Sequence, residues 1–306
     1  LSKNNFRKGG LKGSKGWTMG KYSIKELEQL SGIKAHTIRI WEKRHKIIAP
    51  NRTATNIRFY SDEDLKKIIN VSLLNNNGIK ISKIADMSLD DMNRKVLQLS
   101  ELNNDVMVHI DQLVVAMIDM EEELFEKILN NLILRYGFEK SVTEIIYPFL
   151  EKIGILWQTH NITPAHEHFI SNLIRQKIIV AVDGLPLPPK SAKKILLFLP
   201  EGEMHELGLL FYHFLTRKSG YRTYYLGQNV PHEDLISVYS AHQPDILLSS
   251  ITSVPNTPLE DYLLRLTKDF PMCPILVSGL QIQRFKGQKV ANVQTFSTAA
   301  ELRLFL

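Results

Sequence analysis

The chain has 306 residues, 44% hydrophobic and 23% charged, with a formal net charge of +6. That length is at the limit of a single core, about 250–300 residues, and points to two or three domains. No apolar run approaches the ~20 residues that span a bilayer, and the one cysteine, Cys273, excludes an intrachain disulfide and a cysteine-cluster metal site.

The charge is unevenly placed. Residues 1–60 hold 14 Lys/Arg against 3 Asp/Glu, a net +11, while the remainder is −5. A basic head on a mildly acidic body fits a polyanion, nucleic acid first. The start is rich in Lys, Asn and Gly and lacks the apolar core of a secretory signal, so a reducing cytoplasm is the expected compartment. Residues 1–20 show no periodicity and read as a flexible basic tail.

Ser23-Ile24-Lys25-Glu26 has the capping-box pattern, and Gly32 ends the short helix that follows. A second helix starts near Lys34 and carries Ile38 and Trp41 on one face. Two short helices joined by a glycine turn form a helix-turn-helix. Thr37, Arg39, Lys43 and Arg44 are left to reach phosphates or base edges. Residues 50–56 read as loop and Ile57–Tyr60 as a short strand, together a β-wing that lays Arg52 and Arg58 along a DNA backbone. Trp41 and Tyr60 suit core packing, and Tyr60 is also carried among the DNA-contact candidates with Lys34. Ser61 caps the next helix, Gly78 stops it, and a short helix over 79–87 follows.

Residues 21–88 resemble the winged helix-turn-helix domain of the MerR family. The residues that carry this are Tyr22-Ser23-Ile24-Lys25-Glu26-Leu27, Thr37-Ile38-Arg39-Ile40-Trp41-Glu42, Arg58-Phe59-Tyr60-Ser61-Asp62-Glu63-Asp64 and Gly78. The resemblance implies binding to double-stranded DNA at an inverted repeat, as a homodimer or tetramer.

Residues 90–188 are helical in pattern, with apolar residues every three or four positions over 106–120, 121–136 and 141–156. Short connections make a four-helix bundle the simplest arrangement. Pro164 suits the first turn of a helix capped by Thr163. His160, His166, Glu167 and His168 are dense enough to suggest zinc, but they lack the His-Glu-x-x-His spacing that puts two ligands on one helical face.

Residues 192–306 alternate apolar strands with helical segments. Strands are expected at 194–199, 221–226, 246–250, 275–278 and 294–296, and helices at 207–218, 233–242, 259–270 and 298–306. This is an open α/β parallel sheet of flavodoxin-like (Rossmann-like) type. No G-x-G-x-x-G loop follows the first strand, which argues against a dinucleotide. The loop after that strand, 200–208, holds His205 among carboxylates and ends at Gly208. Cys273 reads as a buried structural thiol.

The segment Glu203-Met204-His205-Glu206-Leu207-Gly208 resembles the signature of cobalamin-binding domains. Ser250-Ile251-Thr252 and Ser278-Gly279 stand at that family's two further elements, with Ser278 in place of a glycine. Trp157, nine residues, then Glu167-His168 are similar to the helical cap of cobalamin-dependent, light-responsive MerR-type repressors. Gln158 stands where those photoreceptors have a histidine.

This resemblance implies that His205 coordinates the cobalt of cobalamin, adenosylcobalamin foremost, with Glu203 and Ser250 holding the other ring nitrogen. It implies that Ser250, Thr252 and Gly279 line the slot for the nucleotide tail and that Trp157, Glu167 and His168 lie over the upper face. The expected protein is a transcriptional repressor, not an enzyme. Cobalamin held between bundle and sheet would control its assembly or DNA affinity, with a light response. Its alternative is a MerR-type regulator whose sheet domain has lost cobalamin and senses another ligand or a partner protein. A corrinoid methyltransferase or mutase component is opposed by the basic helix-turn-helix.

Overall fold

The computed structural model describes residues 20–102, 106–158, 162–255, 257–288 and 290–306. The chain divides into two compact units, Leu1–Glu167 and His168–Leu306. The expected tail lies outside the described residues except for Gly20. That residue is anchored: its N–H donates to Asp62 Oδ2 at 2.8 Å, and Tyr22 Oη donates to Asp62 Oδ1 at 2.7 Å.

The first unit opens with α1 (Ile24–Ser31), whose capping box is formed as expected: the Ser23 hydroxyl accepts from Glu26 N–H, and Glu26 accepts from Ser23 N–H. Gly32 ends it at φ 72°, a left-handed conformation that glycine adopts without strain. Helix α2 (Ala35–His45) follows. Strands β1 (Asn51–Arg52) and β2 (Arg58–Phe59) pair antiparallel. The sequence suggested a strand only at the second of these, because two residues carry no periodic signal.

Helix α3 (Asp62–Asn76) has its own capping box, Ser61 with Asp64, and buries Leu65, Ile68, Ile69, Leu73 and Leu74. It forms the core of the head, with Leu27, Leu30, Ile38 and Trp41 buried on the preceding helices. The short α4 (Ile81–Ala85) and the longer α5 (Leu89–Leu102) come next. Lys66 on α3 lies 2.6 Å from Asp119, just past α6 (Val106–Ile118).

After α6 come α7 (Glu122–Tyr136) and α8 (Phe138–Ser141). A π-helical turn, Val142–Ile146, leads from α8 into α9 (Tyr147–Gln158). The sequence suggested one uninterrupted helix here. A π turn leaves the apolar periodicity nearly unchanged, so the pattern did not reveal it. Asp111 on α6 forms an ion pair with Lys152 on α9, both side chains nearly covered. Helix α10 (Pro164–Asp183) starts at the proline, as expected.

The second unit holds a five-stranded sheet, all parallel, in the order β4-β3-β5-β6-β7. Its strands are β3 (Lys194–Pro200), β4 (Arg222–Val230), β5 (Ile246–Ser250), β6 (Ile275–Ser278) and β7 (Val293–Thr295). The connecting helices are α11 (Leu207–Lys218), α12 (His232–His242), α13 (Leu259–Asp269), the short α14 (Leu280–Arg284) and α15 (Ala299–Phe305). Every residue of β5 and β6 is buried, as a central parallel strand covered on both faces must be.

Read in chain order, the sheet runs second, first, third, fourth, fifth. The order in which strands are added therefore reverses between β3 and β5, and the carboxyl ends of these two parallel strands are where such sheets hold ligands. The core of this unit gathers Leu196, Phe198, Leu247, Phe270, Ile275 and Val277, with Cys273 buried beside them. No described helix is long and apolar enough to cross a membrane.

Candidate functional site

Two surfaces gather the candidate residues. On the head, Arg39, Lys43, Arg44, Arg52 and Arg58 are exposed, and Thr37 is partly so. Arg39 and Lys43 share one face of α2, four residues apart. Lys34 is exposed and pairs with Glu28 at 3.0 Å. Arg52 reaches across the ribbon turn, donating from Nη1 to Asn56 Oδ1 at 2.8 Å.

Tyr60 is a correction to the expected DNA-contact set. It is fully buried and donates from its hydroxyl to Glu42 Oε1 at 3.1 Å. Its backbone also pairs with Tyr22. It holds the core together and turns the carboxylate of α2 inward, which leaves α2 with a basic outer face.

The second surface is built at the carboxyl ends of β3 and β5. After Pro200 the chain turns through Gly202, at φ 82°, and Glu203 folds back beneath the loop. Glu203 is buried, at 3% exposure. Its Oε2 accepts from the backbone N–H groups of Thr252 and Ser253, each at 2.7 Å. Its Oε1 accepts from the N–H groups of Met204 at 2.9 Å and His205 at 3.0 Å, and from Ser253 Oγ at 3.0 Å. Burial alone pushes this carboxyl upward, but the donors of His205, Ser253 and Thr252 outweigh it and hold the group well below the usual carboxylate range.

His205 Nδ1 lies 2.7 Å from Glu203 Oε1. Against an ionised carboxylate this nitrogen carries a proton, which directs metal coordination to Nε2. The His205 side chain is 58% exposed. Ser253 Oγ stands 3.0 Å from Nδ1. The serine that meets the imidazole is thus Ser253, and the role given to Ser250 shifts to it. Ser250 is the last residue of β5 and is buried in the sheet; Ser253 lies in the loop beyond, where it can turn back to Glu203.

The end of β4 braces the loop. Asn229 Oδ1 accepts from Gly202 N–H at 2.8 Å, Asn229 N–H donates to Glu203 O at 3.2 Å, and Gln228 Nε2 donates to Met204 O at 2.7 Å. A register shift between Leu197 and Phe198 carries β4 past Gly227 into this position. Bulges of this kind re-aim strands beside functional sites.

Gly208 has no neighbour that requires it: a Cβ there would meet only Ser250 Oγ, at 4.0 Å. Gly279 is different. Its φ is 105°, and a Cβ would fall 2.3 Å from Ile251 O, so the backbone between β5 and β6 demands glycine whether or not a ligand is present. Thr252 sits between them, its backbone N–H on Glu203 and its carbonyl accepting from Gln281 Nε2 at 3.1 Å.

Ser278 does not face the loop. Its hydroxyl is buried and lies 3.0 Å from Tyr212 Oη. Met204, Val254 and Leu280, in the segments that follow β3, β5 and β6, are exposed. An oriented imidazole and open space beside Gly208 fit a ligand that carries a metal.

The helical candidates are only partly described. Trp157 lies in α9, with its side chain outside the described ones, and His160 is outside the described residues. Glu167 and His168 occupy the first turns of α10, with His168 exposed. His166 Nδ1 lies 2.9 Å from Thr163 Oγ1. Among the described residues no group of three or more His, Cys, Asp or Glu is placed to hold a metal ion by itself.

Residues 22–90 match the model of the MerR HTH family regulatory protein, and residues 109–181 match that of a B12 binding domain. The second match falls on the helices, not on the sheet. The chain is 28% identical over 266 residues to the HTH-type transcriptional repressor CarH of Myxococcus xanthus, covering 84% of this chain and 88% of that protein. It is 24% identical over 262 residues to the repressor CarA of the same organism, covering 84% of this chain and 86% of that protein. The solved structure of the Methanosarcina barkeri monomethylamine corrinoid protein superposes with a TM-score of 0.50 at 15% identity, covering 64% of this chain and 96% of that one, a likeness of fold.

Proposed function

We propose that the chain, which matches a MerR HTH family model and a B12 binding domain model and is similar to the repressors CarH and CarA, is a DNA-binding transcriptional repressor controlled by cobalamin. His205 coordinates the cobalt through Nε2. Glu203, fixed by five donors from the chain besides the imidazole, orients the ring and raises its basicity. Ser253 completes this brace. Bound there, cobalamin would supply a cobalt centre capable of ligand exchange.

The single observation that carries the cobalamin reading is the Glu203–His205 contact of 2.7 Å at the switch point of the sheet. The open space beside Gly208 supports this reading. The alternative is a sheet domain that has lost the cofactor, and Ser278 in place of a glycine bears on it; the hydroxyl of Ser278 turns to Tyr212 inside the domain, which supports the cobalamin reading.

On the DNA side, Arg39, Lys43 and Arg44 on α2 enter the major groove, and Arg52 and Arg58 follow the phosphates as a wing. The operator is an inverted repeat read by two heads of an assembled dimer or tetramer. Tying two heads together raises affinity through effective concentration, so control of assembly is control of DNA binding. Adenosylcobalamin is the form this reading assigns, and a light response would act through the cobalamin held by His205. The chain does no catalysis of its own.

The test is a sizing column and a retention assay on fragmented genomic DNA. Apo-protein, protein with adenosylcobalamin in the dark and the same sample after illumination are compared with His205→Ala. The reading requires a cobalamin-dependent change in size and DNA retention that His205→Ala abolishes. Identical behaviour of the wild type with and without cobalamin contradicts it.

A further inference from the structure

Glu206, the neighbour of His205, is the residue that starts α11, yet its side chain makes no cap to that helix. It turns instead to α10. Arg175 Nε lies 2.7 Å from Glu206 Oε1, with the carboxylate only 15% exposed. The contact is ionic, since Arg175 Nε–H has no aligned acceptor among the described residues. On its other side Glu206 Oε2 accepts from Tyr225 Oη at 3.3 Å. Burial and the charge of Glu206 raise the phenol of Tyr225, which keeps it a donor. Glu206 is thus held between β4 and α10, one peptide bond from the imidazole.

Arg175 stands seven residues after His168 on the same helix. Seven residues are nearly two full turns, so the two side chains leave one face of α10, about 10 Å apart along its axis. The face that Arg175 presses onto the His205 loop is therefore the face that carries His168.

We propose that the Arg175–Glu206 ion pair is a positioning device for the cobalamin site: it fixes α10 against the His205 loop and so sets the height of the His168 face above the imidazole. This rests on the reading that His205 ligates cobalt. Glu203 and Ser253 govern how His205 binds the metal, and Arg175 and Glu206 govern the space on the opposite side of the corrin. Arg175 and Glu206 are positioning residues and touch no ligand themselves. The pair consequently discriminates among cobalamins by their upper substituent.

The experiment compares adenosylcobalamin and hydroxocobalamin, which share the lower face and differ above the ring. Affinities for both, and the visible spectrum of each complex, are measured for the full chain, for Arg175→Met and Glu206→Gln, and for the doubly exchanged Arg175→Glu/Glu206→Arg. The inference requires the ratio of the two affinities to change at least tenfold in each single variant, with the histidine-ligated spectrum retained. The exchanged pair returns the ratio toward the wild-type value. Glu206→Gln keeps the side-chain shape and the Tyr225 bond, so it reports the charge contact even if Arg175→Met folds poorly. A ratio unchanged in Glu206→Gln, or one that the exchange fails to restore, overturns the inference while leaving cobalamin binding intact. Failure of the wild type to retain either cobalamin overturns the underlying reading as well.

Discussion

Tyr212 Oη lies 3.0 Å from Ser278 Oγ, and both side chains are buried between α11 and the sheet. Tyr212 also meets Phe296 edge to face, with centroids 5.0 Å apart. A serine at the end of β6 is thereby compensated: its hydroxyl satisfies a phenol that burial would otherwise strand. Ser278→Gly removes that partner and leaves the Tyr212 hydroxyl unpaired, a loss of about 1–3 kcal/mol. Tyr212→Phe/Ser278→Gly, which removes both hydroxyls, is expected to recover part of it. Denaturant unfolding of the four proteins in a double-mutant cycle checks this.

Glu203 makes the sheet unit acid-sensitive. Its carboxyl is depressed well below the 4.5 of a free side chain. A depressed carboxyl stabilises the folded state fully above that unfolded value, and the contribution is lost as pH falls through the folded one. Glu203→Gln is therefore expected to be less stable than wild type above pH 5, with the gap narrowing as pH drops below 4.5. A gap that persists unchanged into acid contradicts the assignment. Equilibrium unfolding across that range measures it.

His213 acts in a higher window. Burial first, then Arg217, lowers its imidazole from 6.5 to about 4, while Nε2 stays 2.8 Å from Thr223 Oγ1. The unfolded chain binds this proton more readily, so stability is complete above pH 6.5 and falls between 6.5 and about 4. The amount is about 3 kcal/mol at most. His213→Phe keeps a ring beside Tyr225 and is expected to flatten this part of the pH–stability curve.

On the head, Arg39, Lys43 and Arg44 are exposed and Tyr60 is not. Arg58→Ala is expected to weaken DNA binding and to lower the magnitude of the slope of log K against log salt by about 1. Tyr60→Phe removes the bond to Glu42 and is expected to cost about 1 kcal/mol of stability, with the salt slope unchanged. Binding titrations at several salt concentrations separate the two.

Much of this architecture was legible from local chemistry. The capping boxes at Ser23 and Ser61 are satisfied within three residues, and Gly32 adopts the backbone its position requires, so neither depends on distant packing. The bounds of α11 follow from an apolar pattern between a polar loop and Ser219-Gly220. The strands of the sheet were visible as short apolar runs.

What escaped the sequence depends on contacts far along the chain. Ser253 meets Glu203 across 50 residues, and one serine beyond a strand looks like another until the loop closes. The extension of β4 to Val230 looked like loop because Gly227, Gln228 and Asn229 have poor strand propensity; they serve to hold the His205 loop. From sequence Tyr60 suits both core and DNA contact, because its side chain is amphipathic; its full burial and its bond to Glu42 place it in the core. The short α14 and the π turn after α8 left no periodic trace.

The most direct test of the account is the visible spectrum of the protein after incubation with adenosylcobalamin in the dark and removal of free ligand, for wild type, His205→Ala and Glu203→Gln. The account predicts a retained corrin spectrum with histidine ligation in the wild type, its loss in His205→Ala and a weakened, shifted form in Glu203→Gln. A wild type that retains no corrin, or a His205→Ala variant with an unchanged spectrum, would contradict it.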